Sequence, residues 1–429
     1  MIPAIFIVMI VLLVLAVPIS VVVAMISMVP FAIDPSFAAS PMFILRQMFS
    51  GLDSTTMLAI PMFVLSGVIM ARGGISEKLF NVFSYFLGNK TGGLPCAVVI
   101  TCLFYGAISG SAPATTAAVG AMTIPILTSL GYDLTFSAAL VAISGGLGVI
   151  IPPSIPFILY SMNSGVSVGQ MFIAGIVPGL LIGACLMVYS VYYCKKHGED
   201  KEKIMEKQKA LREKGFLKVL MESFWALLSP VIILGSIYGG ICTPTEAAVV
   251  SVFYALIVCL FIYRTISVKD MYSVLVEGVE TYAPILFILG AAQGFSRVLT
   301  LTQAPQRLAE MMGSAVTSKV ALLLLLNLFL LIVGMIMDTG PAILILTPIL
   351  TPIVTSMGID PIHFGVIMIV NLAIGFVTPP IGNNLYVAST LTKLPVTSIA
   401  RKAIPFIAAF FIALMLITFI PQISLILVS

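Results

Sequence analysis

Apolar stretches separated by short Gly-, Pro- and Ser-bearing turns run along almost the whole chain. In the first half they cover 2–16, 18–33, 54–71, 94–108, 113–130, 135–161 and 170–193. Charge-poor runs of this length predict membrane-crossing helices. The fourth and fifth are short and are joined by Ser109-Gly-Ser-Ala-Pro113. They read as a re-entrant helical hairpin, which leaves five full crossings in that half. One charged segment, Lys195 to Lys218, interrupts the pattern, and its helix-forming composition predicts a short surface helix.

The segment divides two similar halves, a first repeat over 1–194 and a second over 220–429, with 195–219 as a cytoplasmic linker. They align without gaps at a shift of 227: Gly51-Leu-Asp-Ser on Gly278-Val-Glu-Thr, Pro125-Ile-Leu-Thr-Ser on Pro352-Ile-Val-Thr-Ser, Gly131-Tyr-Asp133 on Gly358-Ile-Asp360, and Pro178 on Pro405. Two halves with odd crossing numbers must run in opposite senses, which is an inverted repeat. The positive-inside rule agrees. With the linker in the cytoplasm, Arg72, Lys78, Lys90, Arg264, Lys269, Lys393, Arg401 and Lys402 fall inside, whereas Arg46, Arg297, Arg307 and Lys319 fall outside. The expectation is about ten crossings, both termini outside, and hairpins entering from opposite sides.

Composition narrows the class. Of 429 residues 60% are hydrophobic and 9% charged, with a mean hydropathy of +1.17. Soluble domains carry about 25% charged residues. This excludes a soluble enzyme, a nucleic-acid-binding domain and a disordered chain. The six cysteines form no CxxC pair and the two histidines stand apart, so they read as packing residues rather than transition-metal ligands. The first twenty residues have no Lys or Arg ahead of their apolar run and read as a retained helix, not a signal peptide. The sequence contains no GxxxxGK[ST] and no HExxH. A secondary transporter fits better than an enzyme or an ATP-driven pump. An ion gradient suffices, since one charge crossing gains about 2.3 kcal/mol per 100 mV.

The candidate chemistry sits at two helix breaks per half. The hairpin turns are Ser109-Gly-Ser-Ala-Pro-Ala-Thr-Thr and Met337-Asp-Thr-Gly-Pro-Ala, with Ser111 equivalent to Asp338. A Ser or Asp ahead of an N-terminal Pro opens a helix and leaves its amides free to receive an anion. The second breaks are Gly148-Val-Ile-Ile-Pro-Pro-Ser-Ile-Pro156 and Gly375-Phe-Val-Thr-Pro-Pro-Ile-Gly-Asn383, within broken helices at 148–156 and 375–384. Prolines there free carbonyl oxygens, which in a bilayer line a cavity or bind a small hard cation such as Na⁺. Asp338 is the one carboxylate that falls deep in a span, and such residues mark function. Arg72 reads as a snorkelling edge residue.

The segments GAISGSAPATTAAVGAMTIPIL, GLGVIIPPSIPFILY, GVSVGQMFIAGIVPG, CTPTEAAVVSVFYAL and GFVTPPIGNNLYVAS resemble the large membrane subunit of tripartite ATP-independent periplasmic (TRAP) transporters, over about residues 40 to 420. The resemblance implies an all-α polytopic membrane protein of the bacterial inner membrane, an inverted-repeat elevator-type transporter with two re-entrant hairpins and two broken helices. It implies Na⁺-coupled import of a small carboxylated solute of the C4-dicarboxylate or sialic acid class. Its partners would be a small four-helix membrane subunit and a periplasmic substrate-binding protein. Carried over by position, Na⁺ ligands would come from Ser109, Ser111, Gly148, Ile151 and Ser154 in one half and from Asp338, Thr339, Gly375, Thr378 and Ile381 in the other. Ser111, Pro153, Asn383 and Asn384 are the candidate substrate contacts. A stand-alone Na⁺/anion symporter of the same architecture and a passive channel remain the competing readings.

Overall fold

A computed structural model describes residues 2–15, 17–304 and 318–428, and every regular element among them is helical. Arg307, counted above among the outer charges, lies outside the described residues. The first half contains α1 (Ile2–Val14), α2 (Ile19–Ile33), α3 (Pro41–Leu52), α4 (Ala59–Arg72), α5 (Ile75–Leu87), α6 (Gly93–Ser109), α7 (Ala112–Ser129), α8 (Leu134–Gly145), α9 (Ile155–Ser164) and α10 (Val168–His197). After the surface helix α11 (Lys201–Glu213) come α12 (Phe216–Tyr238), α13 (Pro244–Ile257), α14 (Met271–Leu301), α15 (Lys319–Ile336), α16 (Thr339–Ser356), α17 (Pro361–Gly375), α18 (Asn383–Thr392), α19 (Val396–Phe419) and α20 (Gln422–Leu425). Among the described residues eight helices are long and apolar enough to cross a membrane by length and composition, and five shorter ones are apolar too. Two of the eight are α15 and α16, the arms of a hairpin, so helix length alone does not count crossings.

The repeat is written in the element bounds. Shifting α6 to α9 by 227 lands on α15 to α18 within three residues. Both Pro152–Pro153 and Pro379–Pro380, equivalent by the same shift, are joined by cis peptide bonds. The packing is reciprocal: α9 lies on α16 and α18 on α7, α10 on α17 and α19 on α8. When each element touches the other half's counterpart of its partner, the two halves are related by a two-fold axis. The correspondence fails where the sequence differs. Asp53-Ser54 separates α3 from α4, whereas their equivalents Glu280 and Thr281 lie inside the continuous α14. Asp and Ser favour helix ends, and Glu propagates a helix.

The hairpins are held at their feet. Glu199, just past α10, accepts from the Gly92 amide at 3.0 and 3.1 Å and from the Tyr132 hydroxyl, so both feet of the α6–α7 hairpin stand at the linker end. In the other half Lys319 Nζ donates to the Gly358 carbonyl at 3.3 Å, joining the feet of the α15–α16 hairpin. The Tyr160 hydroxyl, on the half-helix that leads away from the linker, donates to the Pro361 carbonyl at 2.6 Å. The second hairpin is therefore rooted at the opposite end. Other charges sort the same way. Lys402 lies 3.9 Å from Asp133 at the linker end, and Arg297 donates to Gln47 at 3.2 Å at the far one.

One local device repeats at the foot of each hairpin. Gly131 (φ +90°) and Gly358 (φ +69°) end α7 and α16, and the amides of Tyr132 and Ile359 reach back to Leu127 and Val354 at 3.1 and 3.0 Å. Only glycine adopts that conformation cheaply, and the backbone closure is of Schellman type. Two residues on, Asp133 caps Phe136 N at 2.7 Å, and Asp360 caps Ile362 N at 2.8 Å. The spacing Gly-X-Asp thus stops one helix and starts the next.

At the base of the second site α15 and α17 cross with almost no separation. A Cβ on Gly375 would lie 2.2 Å from the Gly334 carbonyl carbon. Gly375→Ala must push the helices apart at a cost of about 1–3 kcal/mol. A lowered apparent Tm in detergent is expected, and an unchanged Tm would show that the crossing is slack.

Candidate functional site

The two hairpin tips, rooted at opposite ends, meet at one cavity of about 130 Å³. Its wall holds Gly110, Ser111 and Pro113 from the first tip, Ile155 and Pro156 from the first broken helix, Asp338 to Pro341 from the second tip, and Phe376 from the second broken helix. Ile285 and Ile288 of α14 close one side. The N-termini of α7, α9 and α16 thus point at shared space; the open first turns of α7 and α16 and the dipoles of all three favour an anion there.

In the first half three oxygens converge behind the tip. Ser109 Oγ lies 2.8 Å from Thr115 Oγ1, and Thr115 Oγ1 donates to the Ser111 carbonyl at 2.8 Å. Ser109 Oγ is 3.4 Å from that same carbonyl. Gly148 faces the group: a Cβ there would fall 2.4 Å from Thr115 Oγ1 and 2.7 Å from the Ser111 carbonyl oxygen. Neutral oxygens from hydroxyls and a carbonyl are the donor type a small hard cation takes. Ser109, Ser111 and Gly148 are thereby brought together, and Thr115 joins them.

Ile151 and Ser154 lie in the buried turn that follows. The Ile151 side chain packs where a Cβ on Gly179 would stand, at 2.3 Å. Ser154 Oγ donates to the Val149 carbonyl at 2.6 Å and caps α9 at Phe157 N at 3.4 Å. The Pro153 carbonyl rests 3.1 Å from the Cβ position of Gly110, and the Ile155 amide donates to Gly110 at 3.5 Å. Pro153 and Ser154 fasten the broken helix to the hairpin tip.

The second half is built more loosely. Asp338 is exposed to the cavity and accepts from Thr339 Oγ1 at 3.3 Å. It makes no side-chain cap on α16. Thr378 Oγ1 returns to the Ile374 carbonyl at 2.8 Å, and the Ile381 amide ties the turn to Met335 at 3.2 Å. Pro379, Pro380 and Ile381 are exposed, whereas Pro152, Pro153 and Ser154 are buried. Asp338 and Thr339 therefore share the cavity, while Gly375, Thr378 and Ile381 stand behind it without converging oxygens.

Asn383 is half-buried at the start of α18. Asn384 is fully buried, and its amide donates across the repeat boundary to Ala142 at 2.9 Å, away from the cavity wall. Sequence reasoning missed two features. Thr115 sits in the quoted hairpin motif, and a hydroxyl one turn after Ser111 signals i to i+4 back-bonding. The second is a vestibule of about 410 Å³ that shares Ser111, Ile155 and Ile285 with the central cavity. One wall runs from Ser111, the N-cap of α7, along that helix to Ala121, a rise of about 15 Å. Arg72 and Glu277 line the same space and form an ion pair at 2.6 Å.

Two opposed helical hairpins and two broken helices around a central cavity define a polytopic membrane permease. Over residues 6–423 the chain matches the family described as tripartite ATP-independent periplasmic transporter, DctM component. It belongs to that family and is a multi-pass protein of the inner membrane. It is 42% identical to the Pseudomonas aeruginosa C4-dicarboxylate TRAP transporter large permease protein DctM, covering 88% of this chain and 87% of that one. Identity to the Vibrio cholerae sialic acid TRAP transporter large permease protein SiaM is 38%, over 90% and 89%. It is 45% identical to the Oleidesulfovibrio alaskensis isethionate TRAP transporter permease protein DctMQ, covering 88% of this chain but 59% of that longer one. The solved Alcanivorax borkumensis YdaH transporter shares the fold, with a TM-score of 0.62 at 14% identity over 94% of this chain and 96% of that one.

Proposed function

We propose that the chain is the permease subunit of a Na⁺-coupled importer for a small organic anion. The observation that carries this reading is the joint cavity. Three helix N-termini face it, and the oxygen cluster of Ser109, Ser111 and Thr115 lies directly behind one tip. An anion held by the amides and a cation held by the oxygens would each lower the cost of the other's desolvation. On this reading Asp338 and Thr339 supply the second cation site, and Ser111 and Asn383 contact the solute. Asn384 holds the two repeats together through Ala142. The relatives' names give the solute class to test: a C4-dicarboxylate, a sialic acid or isethionate.

Import needs the linker in the cytoplasm, which the Lys-rich α11 favours. The central site would then alternate sides by an elevator movement, with the hairpins and broken helices sliding along α4 and α14. A small four-helix membrane subunit would buttress those static helices, and a periplasmic substrate-binding protein would deliver the solute.

The test is uptake of radiolabelled succinate, N-acetylneuraminate and isethionate by proteoliposomes. The chain is reconstituted with both partner proteins, or with either one omitted. Uptake of one acid that requires both partners is expected. Equal uptake by the chain alone would replace the tripartite assembly with a stand-alone symporter. Non-saturating flux would replace it with a channel.

Sidedness has its own check. Single cysteines at 165 and 205 are expected to label from opposite faces of sealed vesicles. Labelling from one face would contradict the hairpin geometry.

A further inference from the structure

We propose that Arg72 forms a second anion site on the path from the hairpin tips to the linker end, and that Glu277 is its built-in competitor. The proposal rests on the transport reading above. Arg72 ends α4 and Glu277 lies in the second turn of α14, and both line the vestibule that joins the central cavity through Ser111. Among the described residues on that wall Arg72 is the single cation and Glu277 the single anion. An anion that leaves the tips toward the linker end passes an alanine-faced helix and then meets this guanidinium.

The pairing is not that of a lock. Arg72 gives Nε and Nη2 to the same oxygen, Glu277 Oε2, at 2.9 and 2.6 Å. Among the described residues the other carboxylate oxygen and Nη1 make no hydrogen bond. A guanidinium recognises a carboxylate best through two parallel bonds to two oxygens. Here its fork is only half used. The side chains are 54% and 43% exposed, so the pair is weak and readily exchanged. Nearby, the Tyr105 hydroxyl is buried with no partner among the described residues, although Tyr105 lines the same space. It is a spare donor on that wall. A carboxylate or sulfonate fits this set: two oxygens for the fork and a third contact from a hydroxyl. Glu277 would step aside as the solute arrives and return to Arg72 as it leaves, so that release does not strand an unpaired cation.

Two readouts test this. In the first, phenylglyoxal modification of Arg72 in the purified chain is followed by mass spectrometry with succinate, N-acetylneuraminate, isethionate or chloride at equal ionic strength. At least one organic acid should slow modification of Arg72, but not of Arg264, more than chloride does. In Glu277→Gln the protecting concentration should fall about tenfold, because the competitor is gone. No protection by any of the three acids would overturn the proposal, and this arm needs no transport.

The second readout is transport from the linker side. Arg72→Gln should raise KM, whereas Glu277→Gln should lower both KM and kcat through slowed release. A purely structural pair predicts the same direction for both variants and an equal fall in Tm, and that pattern would also overturn the proposal. Absent uptake by the unaltered protein would count against the transport reading alone.

Discussion

Thr115→Val should raise the Na⁺ concentration for half-maximal uptake by at least about tenfold, or roughly 1.4 kcal/mol in cation binding. Valine keeps the shape and removes the one atom that touches both Ser109 Oγ and the Ser111 carbonyl, each at 2.8 Å. Thr115→Ser keeps the hydroxyl and should stay near the original Na⁺ response. The asymmetry between halves sharpens the expectation. The position equivalent to Thr115 is Ala342, and the one equivalent to Ser109 is Ile336. The oxygen triangle therefore belongs to the first half alone. An unchanged Na⁺ response in Thr115→Val, measured by uptake across a Na⁺ titration, would remove this cluster from the coupling site.

Asp338→Asn is the second large effect. The side chain is exposed to the cavity, makes no side-chain cap on α16, and accepts from Thr339 Oγ1 at 3.3 Å. Its removal should leave the apparent Tm of the purified protein almost unaltered. Uptake at a fixed Na⁺ gradient should nevertheless fall about a hundredfold, or roughly 2.8 kcal/mol, because the carboxylate at the second tip has lost its charge. A carboxylate kept within a membrane-spanning segment marks a functional site by default. Full uptake in Asp338→Asn would assign the second site to neutral oxygens.

Much of this architecture is legible in the sequence because the repeat is punctuated by residues with fixed backbone demands. Gly131 and Gly358 stop helices, Asp133 and Asp360 start them, and the Pro pairs break them at equivalent positions. Those residues survive as signals where Leu, Ile and Val carry no position information. The three-dimensional partners are less legible. Asn384 reads as a polar group free for solute, yet its amide is spent on Ala142, 242 residues away. Arg72 reads as an edge residue, yet α14 brings Glu277 to it across 205 residues. Helix ends also shift. α10 runs through the first charges of the linker to His197, and α12 begins at Phe216, because high helix propensity continues across the polarity change.

The most direct test of the central claim is Na⁺-driven accumulation in proteoliposomes holding the chain and both partners. A Na⁺ gradient directed from the binding-protein side toward the linker side should concentrate the transported acid above its outside level. Collapse of that gradient should release the acid. Accumulation that persists without any Na⁺ gradient would contradict the account, because the oxygen cluster and Asp338 would then have no ion to couple.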